Sequence, residues 1–248
     1  MQYCLNCGAE VYLNYCPNCG QKVTVKRLSA KSLFEELFYF FTHIERTFLK
    51  TLFEFILRPG VASLNYLKGK RKNYQKPVSF FLIWTGLYIL FHNITINYFH
   101  YLPDRVNPAL AAIKEESNEL LRSNFTLFFL PVLFVSAINI YFILAKPRFN
   151  FVEITALCLY GAGCFNALLF LGDVLLGFVF RININANPVF IYQTTIAGSY
   201  NLWFCFDFFK KLQLRFFWSR LLLNALFVSL FGWMVFLYFP YWWLLLTR

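Results

Sequence analysis

Charge is scarce in this sequence. Only 14% of the 248 residues are Asp, Glu, Lys or Arg, against about 25% in a typical soluble domain. Such a chain cannot face water over its whole surface, which excludes an ordinary soluble enzyme. Catalytic signatures are missing as well. There is no Ser-His-Asp order, no His-Glu-x-x-His and no Walker-type phosphate loop, so the standard hydrolase, metalloprotease and nucleotide-hydrolase readings fall away. The start, Met1-Gln2-Tyr3-Cys4, has no basic region leading into an apolar stretch, so no cleavable signal peptide is expected. No internal repeat or low-complexity tract is evident.

What the chain has is apolar and aromatic surface. Hydrophobic residues make up 59%, and there are 33 Phe, 15 Tyr and 6 Trp; the mean hydropathy is +0.52. Five apolar stretches approach the length needed to cross a hydrocarbon core about 30 Å thick. They run Val78–Phe99, Asn124–Ala145, Ile154–Leu176, Pro188–Phe208 and Leu221–Leu246. The net charge of +11 fits nucleic acid or membrane, and its distribution decides. With the N-terminus inside, eighteen of the 23 basic residues fall in inner segments and five in outer ones. The positive-inside rule then predicts five spans with the N-terminus cytoplasmic and the C-terminus outside. Pro240 would end the last span and leave Tyr241-Trp242-Trp243 as an interfacial belt.

Residues 28–57 read differently. Ser32-Leu33-Phe34-Glu35 is a capping-box pattern, followed by a helical wheel with Phe34, Leu37, Phe38, Phe41, Ile44, Phe48, Leu52, Phe55 and Ile56 on one face. Glu36, His43, Arg46, Lys50 and Glu54 occupy the other. Charges at this frequency argue against a sixth span. They predict an amphipathic helix in the cytoplasmic interface or packed under the bundle. Glu45 falls on the apolar face, and Arg58-Pro59-Gly60 breaks the helix.

The cysteines carry the strongest pattern. Four of the seven lie in the first 19 residues, as Cys4-x2-Cys7-Gly8 and Cys16-x2-Cys19-Gly20. A Cys-x2-Cys hairpin points two thiolates at one ion, and two hairpins supply the tetrahedral sulfur set that zinc favours. In a reducing compartment this outweighs disulfides, with iron or a redox thiol pair as the remaining readings. A full four-cysteine shell leaves no open position, so the expected zinc is structural. It would supply the folding energy of a ribbon too small for its own core. Such a ribbon docks a protein partner or caps the bundle. Cys158, Cys164 and Cys205 read as small buried hydrophobes.

Five of the nine residues from Lys68 to Lys76 are basic, ending where the first span begins. The run reads either as a positive-inside anchor or as a phosphate and phospholipid head-group site. It lacks a fold that would present the charge to nucleic acid. Within the spans, Glu153, Asp173 and Asp207 are candidates because membrane carboxylates are costly. Asn224 lies near the inner end of the fifth span, and His92, Asn93 and Asn97 lie near the outer end of the first.

In order, Cys-x2-Cys-Gly, Cys-x2-Cys-Gly-Gln ending at Gln21, Arg58-Pro59-Gly60, and Tyr-Leu-x-Gly-Lys-Arg-x2-Tyr-x2-Pro from Tyr66 to Pro77 resemble a bacterial family of zinc-ribbon membrane proteins catalogued as a domain of unknown function. The resemblance implies zinc at Cys4, Cys7, Cys16 and Cys19, and marks Arg58, Gly69, Lys70, Arg71 and Tyr74 as kept positions. An amphipathic segment before five spans is also similar in architecture to the Yip-type proteins of vesicle traffic. The expected fold is an all-α integral membrane protein of the bacterial inner membrane. Its parts are a zinc ribbon (1–24), an amphipathic interfacial helix (28–57), a basic juxtamembrane loop (58–77) and a five-span bundle (78–248). The expected function is a non-enzymatic scaffold or adaptor whose ribbon and amphipathic helix dock a partner. The alternative is a lipid-handling enzyme or transporter that grips anionic head groups through Arg58, Lys68, Lys70, Arg71, Lys72 and Tyr74, with Glu153 or Asp207 acting on the substrate or coupling a proton. Membrane lipids are partners in either case, and Phe-rich faces favour a homo-oligomer.

Overall fold

A computed structural model of the chain describes residues 2–25, 27–33, 47–99, 125–180 and 187–234. The middle of the amphipathic segment (34–46, with Glu45), the outer loop 100–123 and the aromatic belt at Tyr241-Trp242-Trp243 lie outside the described residues.

The N-terminal ribbon is a two-stranded antiparallel sheet, β1 (Gln2–Tyr3) and β2 (Glu10–Val11), with Gln2 opposite Val11. From residue 48 onward the described chain is mostly helical: α1 (Phe48–Leu57), α2 (Pro59–Leu67), α3 (Pro77–Phe99), α4 (Phe125–Ile140), α5 (Phe151–Asp173), α6 (Asn187–Lys210) and α7 (Phe217–Trp233). Two π turns extend α4 to Ala145 and α5 to Val179.

The five apolar stretches become α3 to α7. Among the described residues, Arg71–Thr95 and Phe151–Leu176 are long and apolar enough to cross a membrane, while Leu130–Ala145 and Phe217–Phe231 are apolar but shorter. Polar residues such as Gln193, Thr194, Thr195, Ser199 and Asn201 dilute α6.

Contacts between helices fix their directions. Phe80 packs on Gly163, Thr85 bonds Asn166 and His92 bonds Asp173. These pairs rise together along both helices, so α3 and α5 run parallel. α4 runs antiparallel to α5, since Leu133 clusters with Leu159 while Tyr141 meets Phe151. The Phe149–Phe208 and Gly161–Phe204 contacts make α6 antiparallel to α5. Asn201 with Asn224 and Phe206 with Trp218 make α7 antiparallel to α6. Asn224 is fully buried, donating to Asn201 and accepting from Asn139 at 2.8 Å. Through it α4, α6 and α7 share a hydrogen-bonded centre.

Helix α1 takes the second of its two expected places, packed against the bundle. Phe55 stacks on Tyr160 at 4.2 Å and Phe48 stacks on Trp84 at 5.1 Å. A helix end leaves its last carbonyls without intrahelical donors. Here Tyr200 donates to the Phe55 carbonyl and Trp203 to that of Ile56. The opposite face is not simply polar. Leu49, Phe53 and Leu57 are 57%, 58% and 66% exposed at four-residue spacing, which aligns them in one stripe. The wheel missed this stripe because Lys50 and Glu54, joined at 3.8 Å, flank it.

The segment 58–77, expected to be a loop, opens with helix α2. Pro59 ends α1 because it offers no N–H to continue the ladder, yet its fixed φ suits the first position of a new helix. The chain turns a corner at Arg58 and becomes irregular only after Leu67.

Candidate metal centre and its seat on the basic turn

The two knuckles repeat each other twelve residues apart. Cys4 N donates to Ala9 O and Gly8 N to Cys4 O; Cys16 N donates to Gln21 O and Gly20 N to Cys16 O. Gly8 and Gly20 take φ of +77° and +71°, a conformation glycine adopts without strain. The repeat turns both cysteine pairs to one side. All four sulfurs lie within 4.8 Å of one another, with Cys4–Cys19 at 3.6 Å and Cys7–Cys16 at 3.5 Å. Four sulfurs around a tetrahedral ion with bonds of about 2.3 Å would stand roughly 3.8 Å apart. The donor set therefore fits a metal ion.

Cys7 and Cys19 are shifted in opposite directions. The Ala9 N–H beside the Cys7 sulfur lowers that thiol to about 6, and burial pushes Cys19 up to about 11. Cys4 and Cys16 are buried, and Val11 supplies most of the remaining interior.

The ribbon is seated on the basic turn. Gln21, 7% exposed, donates to the Gly69 carbonyl at 2.9 Å and accepts from the Lys72 N–H at 3.0 Å. Asn6 donates to Asn73 at 3.2 Å, and Leu5 and Val25 pack against Gly69. A side-chain amide that both donates to and accepts from one backbone turn reads its geometry and not its side chains. The Gln of the second knuckle and the Gly-Lys-Arg run therefore form one unit.

Of the six head-group candidates, Lys68 and Arg71 line one cleft, while Arg58, Lys70, Lys72 and Tyr74 are not among its lining residues. Arg58 stands at the start of α2 and Lys68 just past its end. Tyr74 is buried and donates its phenol to Glu54 at 2.8 Å. Lys72 is exposed, and Arg71 lies with its guanidinium 5.6 Å from the Tyr66 ring centre. Lys68 and Arg71 share a cleft with Arg27 and Glu153.

Each carboxylate candidate has a partner. Glu153 completes a capping box with Asn150 at the start of α5 and receives both forks of Arg27 at 2.6 and 2.8 Å. Asp207 accepts the Gly60 N–H at 2.7 Å, satisfying a free donor in the first turn of α2, and Lys211 lies 3.5 Å away. Asp173, fully buried, meets His92 Nδ1 at 2.7 Å, and the Tyr88 ring lies against that imidazole.

Arg27 is the residue the sequence reading did not single out; it was one of twelve basic residues before the first span. The His92–Asp173 pair did leave a signal. Thr85 and His92 are seven apart, as are their partners Asn166 and Asp173, so matched polar heptads mark the α3–α5 seam.

A family model described as "Protein of unknown function (DUF3667)" matches residues 45–89. The match spans α1, the Arg-Pro-Gly corner, α2, the basic turn and the first half of α3. No curated protein and no solved structure matches the chain.

Proposed function

We propose that this chain is a membrane-embedded adaptor whose zinc ribbon presents a fixed docking surface to a protein on the cytoplasmic side. The observation that carries the reading is the two-faced ribbon. Its inner edge, at Gln21, Asn6 and Leu5, is bound to the basic turn. Its outer edge exposes Tyr3, Tyr12, Leu13 and Tyr15 at 57%, 77%, 76% and 59%. Glu10 accepts from both Tyr3 and Tyr12, at 3.2 and 2.6 Å, so two of these rings are held in place before any partner arrives. Rigid aromatic side chains bind with little ordering cost. Zinc suits the site because four thiolates close the tetrahedron, which gives the metal a structural role.

The membrane part of the reading has α3 to α7 as five spans, N-terminus inside. The alternating directions of α4 to α7 and the parallel pair α3 and α5 are what five successive crossings require. The stripe at Leu49, Phe53 and Leu57 would then meet lipid at the inner face.

The test compares cross-linked pull-downs from cells making the native protein, Cys4→Ser/Cys7→Ser, and Tyr12→Ala/Leu13→Ser. The second variant alters the outer face and leaves the metal shell. Loss of the same partner in both variants, with zinc retained in the surface variant, is expected. Retention of every partner by the surface variant refutes the docking surface.

A further inference from the structure

A cleft of about 270 Å³ opens where the ribbon meets the bundle, between Arg27, Lys68, Gly69, Arg71 and Glu153. Three cations face one carboxylate there. Arg27 engages both oxygens of Glu153, so that carboxylate is already neutralised and a surplus of two positive charges remains, on Lys68 and Arg71. Neither of those side chains has an ion pair among the described residues. Arg71 is held with its guanidinium by the Tyr66 ring and acts electrostatically on the Glu153 carboxylate that Arg27 engages. The walls are already ordered: Gln21 fixes the Gly69 carbonyl and the Lys72 N–H, and the Asn150 cap fixes Glu153.

We propose that this cleft binds a phosphate-bearing anion, with Arg71 and Lys68 as its direct ligands and Arg27 holding Glu153 away from the bound charge. A tetrahedral oxyanion offers several acceptors to an Arg fork and a Lys ammonium together. The cleft lies at the starts of α5 and of the approach to α3. On the membrane reading above, that is the level of inner-leaflet head groups. The phosphate can belong to a lipid or to a soluble phosphate, and the test separates the two.

Full-length, zinc-loaded protein in neutral detergent is titrated with inorganic phosphate in chloride buffer. In parallel it is reconstituted in phosphatidylcholine nanodiscs with and without phosphatidate, and retained lipid is counted by native mass spectrometry. Saturable binding is expected in at least one arm. It should weaken about tenfold in Arg71→Gln and in Lys68→Gln, the size of a lost charge-assisted bond, and stay unchanged in Lys72→Gln, whose side chain lies outside the cleft. Binding of phosphate in solution identifies a soluble ligand, and binding of phosphatidate alone identifies a head group. Zinc content reports that each variant keeps its ribbon. No saturable binding in either arm overturns the proposal, as does equal weakening by Lys72→Gln and Arg71→Gln. Neither result involves a protein partner, so the docking reading stands or falls separately.

Discussion

Replacing Gly60 by alanine tests how α2 is anchored to α6. A Cβ at Gly60 would clash with the Asp207 carbonyl oxygen and lie 2.7 Å from its carbon and 2.8 Å from Oδ2. Two of those atoms are backbone inside a helix, so α6 cannot yield locally and the corner must lift. Overpacking of this kind costs about 1–3 kcal/mol. The lifting also breaks the Gly60 N–H bond to Asp207, a charge-assisted bond contributing about 1.5–3 kcal/mol. One displacement causes both losses, so they do not add in full, and about 3 kcal/mol is the expected total. At 2–4 °C per kcal/mol for a chain of this length, unfolding should occur roughly 6–12 °C lower. The assay is thermal unfolding in detergent, with Gly86→Ala and Gly198→Ala as comparators. A Cβ at either of those positions meets nothing within 4 Å, and alanine favours helix by up to about 1 kcal/mol. Asp207→Asn keeps an acceptor and should lose only about 1 kcal/mol, since the nearby Lys211 pair is partly exposed and weak. Gly60→Ala protein that melts with the Gly86→Ala protein would refute the anchoring of the corner by Asp207.

Gln21→Ala should loosen the ribbon without emptying it. Two bonds at about 1 kcal/mol each predict roughly 30-fold faster hydrogen exchange at residues 69–72 with metal content unchanged, and unaltered exchange would refute the seat. Elemental analysis should find one zinc ion per chain. Chelation should expose residues 2–25 to protease while α3 to α7 stay intact, because the ribbon interior is little more than the cysteines and Val11; a ribbon that stays resistant refutes a structural metal. His92→Ala leaves a fully buried Asp173 with neither oxygen partnered among the described residues and should cost about 3 kcal/mol in thermal unfolding. His92→Asn, which keeps a donor, should recover part of that, and equal stability of all three proteins would remove the pair from the account of the seam.

The metal set and the apolar segments were legible because each is local. A Cys-x2-Cys-Gly knuckle closes within five residues, so its spacing alone states the geometry, and an apolar run reports its own burial through composition. The corner at Arg58 was half legible. Proline marks a helix boundary in one chain, but whether a loop or a second helix follows depends on what caps the new N-terminus. Here the cap is Asp207, 147 residues away. The same distance hid Arg27, whose partner Glu153 lies 126 residues on.

By itself, then, the sequence determined the four-cysteine site, the helical class and the positions of the apolar helices, since short-range sterics and composition govern all three. Tertiary structure decided what joins them. It gave Glu153 and Asp207 their Arg27 and Gly60 partners, and it took Tyr74 and Arg58 out of the basic site. It also seated the ribbon on the turn through Gln21. A hydrogen bond requires two groups to meet at about 3 Å, and pairs more than a hundred residues apart meet only after the helices have packed.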